Sequence, residues 1–252
     1  MSAMVQSSPL HFARYEFKYI LSVSQCQQIE KDLQHFLQYD PFVLEKENHQ
    51  YQVRSLYFDD PVYTAFYDKT DGLHSRYKYR LRTYSLAEFD KTPVFLEVKG
   101  RHNNLVYKHR TPIESAELSW GELANQALPE AILAYGQASK VLEQFDFDLA
   151  RKRLQAVALI DYLRRPYISK FDAGFRLTFD SHLQVTQTDR LFPSQSLSFS
   201  RKVLPGHVIL EVKFRHHMPS WFHAIIQAYE LQRVSISKIC SGMECLGLVN
   251  DY

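Results

Sequence analysis

Four cations alternate with Tyr, Tyr and Leu in Arg76-Tyr77-Lys78-Tyr79-Arg80-Leu81-Arg82. Successive side chains of a strand point to opposite faces, so a strand here carries all four cations on one face. The pattern recurs. Glu97, Lys99 and Arg101 alternate in Phe95-Leu96-Glu97-Val98-Lys99-Gly100-Arg101, and Glu211, Lys213 and Arg215 alternate in Ile209-Leu210-Glu211-Val212-Lys213-Phe214-Arg215. Arg176, Thr178 and Asp180 share a face further on, and Arg14, Glu16 and Lys18 share one near the start. An exposed sheet face is the ordinary source of such alternation. Five strands of the kind in one chain, two with Glu-Val-Lys after an apolar pair, point elsewhere. Strands with one charged and one apolar face can close into a barrel with a polar lumen, its outside packed on helices. A lumen lined by so many cations and a few carboxylates calls for a polyanion, with a metal.

The 252 residues suffice for one large β domain, and 45% hydrophobic with 14% aromatic content supplies a core. The net charge is only +2 and the pI about 8.3, so the cations matter by where they cluster. Cys26, Cys240 and Cys245 have neither metal-ligand spacing nor a disulfide framework, which suits a reducing compartment. No apolar run approaches the roughly 18 residues of a membrane-spanning helix. Residues 1–10 lack the order of a signal peptide and read as a short disordered lead. A cytoplasmic location follows from these missing signals.

Strands are expected at about 11–21, 51–58, 75–84, 93–100, 105–113, 155–163, 174–180, 183–187 and 207–215. Ser22 and Gln25 form a capping box for a helix. Asp60-Pro61 predicts a short helix with Pro at its first position, closed by the Asp71-Gly72 turn. Ser119 and Glu122 predict a second capping box opening a helical insertion over about 115–153. Pro219 starts a helix to about Gln232, and 236–248 ends the chain's helices. Residues 11–252 read as one domain.

These pieces, in order, carry a resemblance: Arg14-Tyr15-Glu16-Phe17-Lys18-Tyr19; Ser55-Leu56-Tyr57-Phe58-Asp59; Arg80-Leu81-Arg82-Thr83-Tyr84; Phe95-Leu96-Glu97-Val98-Lys99; Tyr162-Leu163-Arg164-Arg165; Arg176-Leu177-Thr178-Phe179-Asp180; Leu210-Glu211-Val212-Lys213; and Ser237-Lys238. The chain resembles the polyphosphate polymerase domain of the vacuolar transporter chaperone (VTC) family, in the triphosphate tunnel metalloenzyme (CYTH-like) superfamily. The resemblance implies an α+β fold: a closed, mostly antiparallel barrel of about eight strands around a basic tunnel, with helices packed outside. It implies catalytic or phosphate-gripping roles for Arg80, Arg82, Lys99, Arg164 and Lys238. It implies phosphate contacts at Lys18, Lys108 and Ser237. Arg76, Lys78, Arg176 and Lys213 join them as tunnel-lining cations by alternation. Arginine grips phosphate bidentately and lysine supplies a mobile point charge. Glu211, with Glu97 second, is the implied ligand of a divalent metal, Mn²⁺ or Mg²⁺, since hard cations take oxygen ligands. One departure stands out: Ser235 occupies the place of a lysine two residues before the Ser-Lys pair, with Arg233 just upstream.

The implied reaction is transfer of the γ-phosphoryl group of ATP to a polyphosphate chain. A triphosphatase, hydrolysing tripolyphosphate or nucleoside triphosphates, uses the same cations. A non-catalytic polyphosphate-binding module is the third reading, and the retained cations argue against it. The expected partners are ATP and polyphosphate, or another triphosphate, and no nucleic acid. With no membrane span in the chain, coupling to transport needs a separate membrane partner. The other constellations are bland. Adjacent His216 and His217 face opposite ways on a strand and do not chelate. His102 and His109 flank a hairpin at Asn103-Asn104. The run from Ser194 to Ser200 reads as a loop, and Arg151-Lys152-Arg153 as a solvated helix face.

Overall fold

The computed structural model describes residues 15–88, 93–103, 105–114, 118–194 and 199–250. Arg14, Asn104 and the lead at 1–10 lie outside them, as does part of the run from Ser194. The described residues form ten strands and six helices. The strands are β1 (Tyr15–Ser22), β2 (Leu37–Tyr39), β3 (Tyr51–Asp59), β4 (Ser75–Thr83), β5 (Val94–His102), β6 (Leu105–Ile113), β7 (Gln155–Ser169), β8 (Arg176–Thr186), β9 (Ser200–Lys202) and β10 (His207–Phe214). The helices are α1 (Val23–Leu33), α2 (Thr64–Thr70), α3 (Ala127–Tyr135), α4 (Lys140–Lys152), α5 (Ser220–Ala228) and α6 (Lys238–Leu246). All strands pair antiparallel in one sheet of order β1-β10-β8-β7-β3-β4-β5-β6, with β2 added beside β7 and β9 beside β8.

The sheet does not close into the barrel expected from the sequence. β1 and β6 are the two ends of the sheet path and form no ladder with each other. The reason is local. The free edge of β1 is taken by the extended segment before α6, where the Val234 N–H donates to the Lys18 carbonyl (2.9 Å). The gap between the edges is spanned by side chains, Lys99 of β5 reaching Glu16 of β1 at 3.2 Å.

The alternation sorts the two faces as expected. On the convex side, Leu56, Phe58, Tyr79, Leu81, Leu96 and Val98 pack under α3 and α4 around Trp120 and Phe145. Tyr77 and Tyr79 donate their hydroxyls to Asp148 of α4 (2.7 and 2.9 Å). Tyr19, Leu21, Leu177, Leu210 and Val212 pack under α1 and α5. The α1 stripe of Cys26, Ile29 and Leu33 is fully covered, and each such aliphatic contributes about 1.5–3 kcal/mol. The Ser22–Gln25 capping box is present.

Not every helix lies outside. α6 sits on the concave side, where Ile239, Cys240 and Met243 join Val53, Tyr57, Ile160, Tyr162, Val185 and Ile209. Gly242 permits that approach, since a Cβ there would stand 2.8 Å from Ile160 Cδ1. Three element expectations also shift. α2 begins at Thr64, not Pro61, because the Asp60 carboxylate draws the Val62 and Thr64 N–H groups into a turn (3.1 and 2.9 Å). Ser119 makes only a backbone turn to Glu122, and Ser139 caps α4 instead. The two strands expected at 174–180 and 183–187 are one, β8, broken by His182 at φ 54°. That irregularity swaps the inward parity, so Asp180 and Leu183 both face the concave side.

Candidate functional site

The concave side encloses a cavity of about 980 Å³. Fourteen lysine and arginine side chains line it against two carboxylates, Glu16 and Glu211. In a chain of net charge +2 this is strong segregation. The strand register makes it sharper. Lys78 of β4 stands opposite Lys99 of β5, which stands opposite Lys108 of β6, and Arg76 stands opposite Arg101. Like charges directly across a ladder destabilise it, so this row is held against its own repulsion.

Glu97 holds Lys108 of this row and Glu16 holds Lys99, while a second buried carboxylate, Asp180, anchors cations of the opposite wall. Glu97 of β5 is fully buried; its Oε2 accepts from Arg80 Nε and Nη2 (2.8 and 2.7 Å) and its Oε1 from Lys108 Nζ (3.2 Å). Arg80 also donates to the Tyr57 hydroxyl (2.9 Å). Arg82 donates to Ser55 Oγ (3.1 Å) and the Tyr162 hydroxyl (3.3 Å). Asp180 of β8 clasps Arg164 through both oxygens at 2.6 Å. Lys238, at the start of α6, reaches Asp180 Oδ2 and Glu211 Oε1 at 2.7 Å each. Glu211 further meets Lys213 and Arg164 at 3.2 Å and Lys18 at 3.7 Å. Lys18 lies 3.4 Å from Glu16 and donates to the Ile236 carbonyl (3.0 Å). Lys78 bonds Ser237 Oγ at 3.4 Å.

These contacts set the protonation states. Burial alone would raise the Glu211 carboxyl, but Lys238, Lys213, Lys18 and Arg164 reverse that and hold it well below the usual range. Burial likewise opposes ionisation of Glu97, and Arg80, Arg82 and Lys108 overcome it. Around Lys99, Glu16 favours the ammonium, yet burial together with Lys18 and Lys213 outweighs it and brings Lys99 down to about 8. Burial would raise the Tyr57 phenol, but Arg80 and Arg82 pull it down to about 8.

Of the residues singled out from sequence, Lys18, Arg76, Lys78, Arg80, Arg82, Lys99, Lys108, Arg164, Glu211, Lys213, Ser237 and Lys238 all line the cavity, and Glu97 lies just behind its wall. Arg176 does not; it sits at the exposed end of β8. Ser235 and Arg233 also line it, with Arg233 stacked 3.8 Å from the Phe17 ring centroid. Contributors not assigned site roles from sequence include Tyr57, Tyr162, Glu16 and Asp180, and the cations Lys69, Arg101 and Arg215. Tyr57 could have been found, since it shares parity with Ser55 and pairs with Arg80.

Among the described residues, no group of three or more His, Cys, Asp or Glu is placed to hold a metal. A hard divalent cation bound through substrate phosphates needs only one or two carboxylates. Glu211 and Glu16, both ionised and both within 4 Å of Lys18 Nζ, fit that donor set. Cations engage both oxygens of Glu97, as they do those of Glu211, but Glu97 is fully buried and does not line the cavity.

One solved structure shares the overall fold, and a second is similar more loosely. The chain is 14% identical to bh2851 of Bacillus halodurans, a candidate adenylate cyclase, with a TM-score of 0.53 over 90% of this chain and 94% of that one. It is 12% identical to PH1819 of Pyrococcus horikoshii OT3, with a TM-score of 0.44 over 92% and 99%. No curated protein matches the chain in sequence. No helix is long and apolar enough to cross a membrane among the described residues. The VTC domain model matches residues 13–247, spanning every strand and helix that shapes the cavity, and the chain belongs to the VTC domain family.

Proposed function

We propose that the cavity performs metal-assisted phosphoryl transfer from ATP to a polyphosphate chain. The observation that carries this reading is the facing row Lys78–Lys99–Lys108 with Arg76–Arg101 beside it. A stack of like charges costs stability until an anion of matching linear charge lies along it, and a chain of phosphates is such an anion. Membership of the VTC family supports the same substrate class.

Phosphoryl transfer asks the protein for position and charge more than for covalent chemistry. The terminal oxygen of the acceptor chain forms a bond to the γ-phosphorus, the bridging β–γ bond breaks, and ADP leaves with its electron pair. Arg80 and Arg82, fixed by Glu97, Ser55, Tyr57 and Tyr162, spread positive charge over the transferring oxygens. Arg164 and Lys238, fixed by Asp180, do so from the opposite wall. Glu211, with Glu16 beside it, would hold Mn²⁺ or Mg²⁺, which supplies further neutralisation of phosphate charge. Glu97 is assigned to fixing cations instead. ATP as donor and three free cysteines suit a cytoplasmic setting.

Hydrolysis of a short triphosphate is the second reading. It is favoured by α6, which fills part of the concave side and shortens the path open to a polymer. The test is to incubate the purified chain with ATP, Mn²⁺ and short polyphosphate and resolve the products by length. A growing ladder with ADP release is expected. Orthophosphate without a ladder would replace the polymerase with the hydrolase.

A further inference from the structure

The concave face changes character at one end. Along β4 the inward positions run Lys78, Arg80 and Arg82, and the next of that parity is Tyr84. On β5, Phe95 pairs in register with Arg82. On β3, Tyr51 pairs with Arg164. These rings meet Phe42 of the 3-10 turn Pro41–Val43: centroids are 5.1 Å apart for Phe42–Tyr51, 5.7 Å for Tyr51–Tyr84 and 6.4 Å for Tyr84–Phe95. Arg110 lies 4.7 Å from the Phe95 centroid and Lys46 lies 4.7 Å from that of Phe42.

A group that merely capped the sheet would bury its outermost ring. Phe42 is instead 54% exposed. The cationic run therefore ends in an aromatic group whose outermost ring is exposed, with Lys46 over Phe42 and Arg110 over Phe95. From Arg80 to Tyr84 a strand advances about 13 Å, comparable to the reach from the terminal phosphate of a nucleotide to its base.

We infer that this rim is a nucleobase platform: the base of a nucleoside triphosphate stacks at Phe42 and Tyr84 while its phosphates lie on Arg82, Arg80 and the lysines beyond. The inference rests on the proposed reading of the cavity, in which ATP is the donor, and adds where the base of that nucleotide is held. Stacking needs only a π-face, so purines and pyrimidines should both be accepted.

The test compares ATP with inorganic tripolyphosphate by calorimetry on the full chain and on Phe42→Ala and Tyr84→Ala. The expected result is that each variant loses about tenfold in ATP affinity, the scale of one lost base stack, with tripolyphosphate affinity unchanged. A Phe42→Trp variant, at an exposed position that tolerates the larger ring, should show indole quenching by ATP and none by tripolyphosphate. Equal loss for both ligands, or no loss for either, overturns the platform and leaves the phosphate site standing. Failure of the unaltered chain to bind either ligand overturns both readings.

Discussion

Arg80 donates both Nε and Nη2 to one oxygen of Glu97, and neither side chain is more than one-tenth exposed. The other Glu97 oxygen takes Lys108, so a single buried carboxylate fixes cations from two neighbouring strands. Glu97→Gln should therefore behave as a broken buried pair, destabilising the chain by about 3–5 kcal/mol in denaturant unfolding. Added tripolyphosphate should restore part of the loss, because it binds only the folded state. An unchanged midpoint would show that Arg80 and Lys108 do not depend on Glu97.

Arg82 is fixed differently, by hydrogen bonds to the neutral hydroxyls of Ser55 and Tyr162, with Glu97 Oε2 farther off at 3.8 Å. Its removal leaves no buried carboxylate with both oxygens bare, since Glu97 keeps Arg80. Arg82→Ala should unfold at nearly the same denaturant concentration as the unaltered chain. Its tripolyphosphate affinity should fall about 10- to 100-fold, the scale of hydrogen bonds to a charged group. Retained affinity would remove Arg82 from the site.

The alternating sequence made this much legible before any coordinates. Parity alone placed Arg76, Lys78, Arg80 and Arg82 on one side and Tyr77, Tyr79 and Leu81 on the other, and the packing follows it. What parity cannot register is backbone bonding at a free edge. The Val234–Lys18 bond that occupies β1, and so leaves the sheet open, involves main-chain atoms that any residue carries. Nor does it register irregularities or strand ends: His182 resets the inward positions of the second half of β8, and Arg176, the first residue of the strand, lies exposed beyond the cavity. Tyr57 shares the parity of the site, but it and Tyr162 read as core because they are tyrosines, yet each turns a hydroxyl to a buried arginine.

Asp148 tests the separation of the two faces. It accepts from the Tyr77 and Tyr79 hydroxyls on the convex side, away from the cations of the same strand. Asp148→Ala should cost about 2–3 kcal/mol of stability, the scale of hydrogen bonds to a charged acceptor. Phosphate affinity should stay unchanged. A matching drop in affinity would mean that α4 positions the site through β4.

Tyr57 supplies a pH-dependent signal. Its folded value of about 8 lies below the ordinary 10.0, so between these values the unfolded chain binds more protons than the folded one. Stability from this group is therefore full above pH 10, falls as pH drops, and is gone below about pH 8. Absorbance of tyrosinate near 295 nm should rise with a midpoint near 8 and should lose that step in Tyr57→Phe. Bound tripolyphosphate should move the midpoint upward by cancelling the field of Arg80 and Arg82. A Tyr57 midpoint at or above 10 in the free protein would contradict the electrostatics described for the cavity.

The most direct measurement is a crystal structure of the chain with Mn²⁺ and a non-hydrolysable ATP analogue. Phosphates are expected along Lys78, Arg80, Arg82 and Lys99, with an anomalous manganese peak against Glu211. Phosphates bound elsewhere, with the lysine row still facing an empty cavity, would contradict the proposed site.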